Sequence, residues 1–284
     1  MFAHVDTRKP YEVETQVRSI YQGLFPSGDA AFVARAFEWA EECFTGKFAG
    51  YQPIDARYHD FEHTLQGALC LARLLHGRHA AKAKPGVTQH GFELALFAIF
   101  FHDSGYLKKR GDTKGTGAKY TVIHVDRGAD FAREFLSAKG LAAGDIESVR
   151  NMIRCTGVNA DLTAIPFHDE LERTMGCALG TADLLGQMAA PDYVEKLPLL
   201  FEEFAEAIQH DGPAAARMAV YSSAEELVRS SPSFWENYVL PKINNDFGKL
   251  YVFLNEPYPD GPNPYLQAIQ RNLARIQETE QRQP

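Results

Sequence analysis

Hydrophobic positions recur at helical spacing wherever a pattern is legible along the chain, and strand-like alternation is scarce. The stretch Ala30 to Phe44 is the plainest case. Phe32, Val33, Ala36, Phe37, Ala40 and Phe44 fall on one stripe, while Arg35, Glu38, Glu41 and Glu42 fall elsewhere, so this is an amphipathic helix facing a core. Similar patterns predict helices at Tyr11 to Leu24, Asp60 to Leu75, Gly91 to Tyr106, Ile123 to Lys139, Gly144 to Cys155, Glu170 to Ala190, Asp192 to Gln209 and Pro213 to Ser230. Breakers at 79–89, 108–119, 157–166, 211–213, 230–233 and 257–264 mark the loops between them. The expected fold is all-α and forms a single helical domain over residues 1–284. Its chemistry-bearing core spans about 55–190 and a helical extension spans about 191–284.

Composition adds few surprises. Apolar residues make up 45% and charged residues 23% of 284, which a packed globular chain needs and a disordered one lacks. The net charge of −8 argues against extended nucleic-acid binding and against a membrane-surface role. Leu94 to Phe101, the longest apolar run, is far shorter than the ~20 residues a membrane span requires. Met1 to Pro10 carries neither a secretory nor a lipidation signal. Cys43, Cys70, Cys155 and Cys177 form no C-x-x-C pair and sit in helix-like stretches, which points to a reducing cytoplasm.

Three short elements carry candidate chemistry. Tyr58-His59-Asp60-Phe61-Glu62-His63 opens a helix, and its H-x-x-x-H spacing puts two imidazoles about one turn apart. An apolar helix then runs into His102-Asp103-Ser104-Gly105-Tyr106, where a buried carboxylate demands a partner, a proton or a metal. Asp183 stands inside the otherwise apolar segment Ala178 to Met188 and makes the same demand. Each element alone has an ordinary structural reading: surface histidines, a local ion pair, a helix cap.

Together, over roughly Tyr58 to Met188, the three elements resemble the HD superfamily of metal-dependent phosphohydrolases, which includes the cyclic-nucleotide phosphodiesterases. The resemblance implies an HD-type helical bundle with added N- and C-terminal helices. It also implies His63, His102, Asp103 and Asp183 as metal ligands, with Asp103 also serving catalysis. The Tyr-His pair looks like the phosphodiesterase signature and implies that His59 protonates a leaving group. His124 looks like an extra histidine of members that bind two metals, and His168 is a second candidate. The segment after the doublet lacks both the downstream histidine of the cyclic-nucleotide enzymes and the lysine of the HD-GYP type.

The donor set suits one or two divalent ions, Zn, Mn, Mg, Fe or Ni. The expected activity is hydrolysis of a phosphate ester or nucleotide, a phosphodiester of the cyclic-nucleotide type among them, by a metal-activated water. A mixed-valent di-iron oxygenase and a non-catalytic nucleotide-binding module are the competing readings. Lys108, Lys109, Arg110, Lys114 and Lys119 surround a single acid, Asp112, just after the doublet. That basic loop reads either as a guide for a small anionic, nucleotide-like substrate or as a solvated loop. Phe234, Trp235, Phe247, Tyr251 and Phe253 read as core aromatics or as a wall for a nucleobase. Self-association into a homo-oligomer stays open.

Overall fold

The chain is all-helical, as its periodicity predicts. The structure, a computed structural model, describes residue 2 and residues 4–215 and 220–281. The helices are α1 (Pro10–Leu24), α2 (Phe32–Phe44), α3 (Phe61–Ala80), α4 (Gln89–Phe101), α5 (His124–Ala138), α6 (Ala143–Arg154), α7 (Glu170–Met188) and α8 (Tyr193–His210). They continue as the single turn α9 (Gly212–Ala215), α10 (Ala224–Phe234) and α11 (Pro264–Gln281). Among the described residues the only extended pairing is an isolated antiparallel bridge between Tyr51 and Lys109. No described helix is long and apolar enough to cross a membrane.

Three helices form the centre. Every residue of α4 from Leu94 to Phe101 is buried, α3 is buried almost continuously from His63 to Leu75, and α7 from Thr174 to Ala182. Helices that are apolar on every side belong in an interior, and the amphipathic α1, α2, α5 and α6 pack round them. One hydrophobic cluster runs from Val13 to Ile276, so the first and last helices share the same core. Gly186 lets α3 and α7 approach closely: a Cβ there would lie 2.8 Å from the Gln66 carbonyl oxygen. Cys43, Cys70, Cys155 and Cys177 are all free and buried.

Helix starts follow local capping. Asp60 accepts from the His63 backbone N–H at the start of α3, and Thr88 and Asp169 cap α4 and α7 in the same way. The expected helix 91–106 stops earlier, at Phe101, and residues 104–106 form a single 3₁₀ turn. The expected helix 213–230 divides into α9 and α10, with 216–219 outside the described residues. The expected break at 230–233 is absent. Pro232 lies inside α10, and the chain runs on into π-helical turns at 235–239 and 242–246.

Candidate metal centre

The Asp60 cap decides where the first two histidines stand. His63 falls in the first turn of α3, while His59 precedes the cap. The two are therefore not neighbours on one helical face, although their rings still lie 5.5 Å apart, edge to face. His102 sits where α4 ends. Its Nδ1–H donates to the Ile99 carbonyl at 2.8 Å, which leaves the Nε2 lone pair pointing away from its own helix.

Three buried donors gather there, and Asp183 stands against both imidazoles. His63 Nε2 lies 3.1 Å from Asp103 Oδ2 and 3.2 Å from Asp183 Oδ1. His102 Nε2 lies 3.1 Å and 3.3 Å from the same two oxygens. Donors held about 2.1 Å from one cation are separated by roughly 3.0–3.4 Å along the edges of an octahedron or tetrahedron. The observed separations fall in that range. His63, His102 and Asp103 are all buried, and together they form a group able to hold a metal ion.

The fit to a cation has independent support. His102 Nε2 and Asp103 Oδ2 are both buried without a hydrogen-bond partner, despite their proximity. Buried polar atoms are rarely left so. Two carboxylates and two neutral imidazoles carry two negative charges, which one divalent ion balances. Without an ion, protons take that place. Burial disfavours charge on His63, but Asp103 and Asp183 outweigh it and raise the imidazole to about 9. The same contest sends His102 well above its ordinary value. Burial also opposes ionisation of Asp103 and Asp183, yet His102 above all holds both well below the carboxylate range.

Asp103 also offers its other oxygen: His124 Nε2 lies 3.7 Å from Oδ1. Burial lowers the His124 imidazole below its usual value, with Asp103 only partly opposing, so this ring is neutral and its Nδ1–H donates to the Thr121 carbonyl at 2.6 Å. Two glycines make the juxtaposition possible. A Cβ on Gly105 would lie 1.8 Å from the His124 carbonyl oxygen, and one on Gly128 would lie 2.6 Å from that of His102. Arg127 bonds the carbonyls of Gly105 and Leu107, which places it in the scaffold rather than facing a substrate.

His59 stands beside the cluster under control of Glu203, a residue of α8. Glu203 Oε2 accepts from His59 Nδ1 at 2.6 Å, and Oε1 accepts from the Tyr58 backbone N–H at 2.7 Å. Burial raises the Glu203 carboxyl, but His59 outweighs it and keeps the group ionised. The buried Tyr106 ring fills the gap between the two outer histidines, stacking on His59 at 4.4 Å and on His124 at 4.7 Å. Sequence reasoning missed Glu203. Its signal was an acid on the buried stripe Tyr193, Leu197, Glu203, Ala207.

Other expected site residues lie elsewhere. His168 is largely exposed and its Nδ1 pairs with Glu172 at 2.6 Å, at the far end of α7 from Asp183, so it is no ligand of this cluster. Lys108 is buried, with Nζ on Asp55 at 2.7 Å and on the Gly115 carbonyl at 2.7 Å. Lys119 is buried too, clasped by Asp112 and the Lys114 carbonyl. Lys108 ties the loop to Asp55, Lys119 closes the loop on itself, and neither charge is free for a substrate. Lys109 and Arg110 are exposed, and both engage Tyr51, through its ring and its carbonyl respectively. Trp235 and Phe247 are buried core residues.

Residues 110–255 match the family described as Npun_R2479-like. The chain belongs to this family. The Npun_R2479-like match contains His124, Asp183 and Glu203, while His59, His63, His102 and Asp103 precede it. No curated protein matches the chain.

Proposed function

We propose that the chain is a metal-dependent phosphohydrolase acting on a phosphate ester or nucleotide-like anion. The observation that carries this reading is the buried group of His63, His102 and Asp103, with Asp183 against both imidazoles and a carboxylate-backed histidine beside it. A bound divalent ion lowers the pKa of its water toward neutrality and polarises a phosphoryl oxygen. His63, His102, Asp103 and Asp183 would hold that ion, and Asp103 with His124 would share a second. His59 would act on the departing oxygen through Nε2, because its Nδ1 is committed to Glu203. Glu203 fixes the ring's orientation. Tyr106 keeps His59 from turning away.

The di-iron oxygenase reading needs His168 beside His124, and the pairing of His168 with Glu172 removes its support. The test is turnover of bis(4-nitrophenyl) phosphate and a nucleotide panel by manganese-, zinc- and iron-loaded protein. His102→Ala and Asp183→Ala should each abolish turnover and bound metal together. Full activity in both would refute the assignment.

A further inference from the structure

Gln187 follows Asp183 by one turn of α7, and its side chain folds back onto that residue. The amide Nε2 donates to the Asp183 backbone carbonyl at 3.2 Å and to Asp183 Oδ1 at 3.4 Å. Oδ1 is the same oxygen that stands against His63 Nε2 and His102 Nε2. An aspartate carboxylate turns easily about its Cβ–Cγ bond, because that torsion is broad. A donor on the oxygen facing the imidazoles therefore restricts the plane in which the carboxylate can meet a cation. The donor is also neutral. A lysine or arginine in its place would orient the carboxylate equally well, but its charge would compete with the ion.

An unrestrained glutamine is a poor guide, since it has three side-chain torsions and an amide that fits either way round. Tyr58 supplies the restraint. Its hydroxyl donates to Gln187 Oε1 at 2.7 Å, which turns the NH2 toward Asp183. The reverse placement would set the amide oxygen against the carboxylate, two acceptors with no proton between them. Tyr58 is itself 4% exposed, and its backbone N–H is fixed by Glu203 of α8 at 2.7 Å. Adjacent residues thus serve two parts of the centre. The Tyr58 side chain reaches Asp183 through Gln187, while the His59 imidazole is held by Glu203.

We propose that Gln187 is a positioning residue of the cation site. It holds the Asp183 carboxylate in the plane a metal needs, and Tyr58 keeps the Gln187 amide the right way round. The proposal rests on the metal-binding reading of the cluster, not on the reaction carried out there. Hydrogen-bond partners of metal ligands are typically worth about 10–100-fold in metal affinity.

Calorimetric titration of the metal-free whole chain with manganese tests it. Wild-type protein should show a tight site, and Gln187→Met, of matching length and helix propensity, should weaken it about 10–100-fold. Tyr58→Phe, which removes only the hydroxyl, should weaken it in the same direction by a smaller factor. The double variant should bind no more weakly than Gln187→Met alone, because the hydroxyl acts through the amide. A packing role would instead lower the melting temperature and leave manganese affinity in place. Unchanged affinity in Gln187→Met, or losses that multiply in the double variant, would overturn the proposal. Should Gln187→Met not fold, unchanged affinity in Tyr58→Phe would overturn it as well. The titration needs no turnover, so a chain that binds manganese but cleaves nothing refutes the phosphohydrolase reading alone, whereas wild-type protein that takes up no manganese refutes both.

Discussion

At the scale of single residues, the cluster could hold either a cation or protons on the same lone pairs. In metal-free protein His63 is raised from 6.5 to about 9, so its contribution to stability is full below 6.5 and fades as pH rises toward 9. Asp103 and Asp183 are depressed, so theirs is present above the ordinary carboxylate pKa of ~3.9 and is lost on acidification. Chelated protein should therefore melt highest in mildly acidic solution and lose stability toward pH 9. Metal-loaded protein should hold its melting temperature through that range, because ligation requires neutral imidazoles. Scanning calorimetry against pH reads both curves, and identical profiles would show that no ion displaces those protons. Glu203→Gln should lower turnover by about 10²-fold, the lower range of general acid catalysis, with metal content unchanged. Elemental analysis beside a rate assay separates this from loss of the ion.

At the scale of elements, the sequence made the candidate ligands legible but not the means of bringing them together. Asp103 and Asp183 stood out as carboxylates in or beside apolar helices, where burial demands a partner, His63 by its H-x-x-x-H spacing, and the resemblance to the HD superfamily joined them with His102 as candidate ligands. The second layer was hidden, since Glu203 acts from a helix some 140 positions from His59. A side chain that orients another across such a separation leaves only a stripe anomaly behind. The basic loop misled for a related reason: charge counts along a loop cannot show that Lys108 and Lys119 fold back onto Asp55 and Asp112. Replacing either by Met should cost stability, by about 1 kcal/mol in urea denaturation, and leave KM for an anionic substrate unchanged. A raised KM at unchanged stability would restore the substrate role. The 3₁₀ turn at 104–106 depends on Gly105, and Gly105→Ala would press a methyl into the α5 backbone. Such overpacking should cost about 1–3 kcal/mol and displace His124 from Asp103.

At the scale of the whole molecule, helical periodicity predicted an all-α chain, and the structure is all-helical. The burial of α3, α4 and α7 holds the candidate ligands in or beside helices packed in the core. Helix boundaries were less legible where the backbone departs from α geometry, as at Pro232 and the π turns beyond it. The central claim is that four side chains from α3, the end of α4 and α7 share one cation. Anomalous diffraction from crystals of manganese-loaded protein tests it most directly. The account predicts a peak about 2.1 Å from His63 Nε2, His102 Nε2, one oxygen of Asp103 and one of Asp183. A map with no peak between those atoms, or with the ion bound elsewhere, would contradict it.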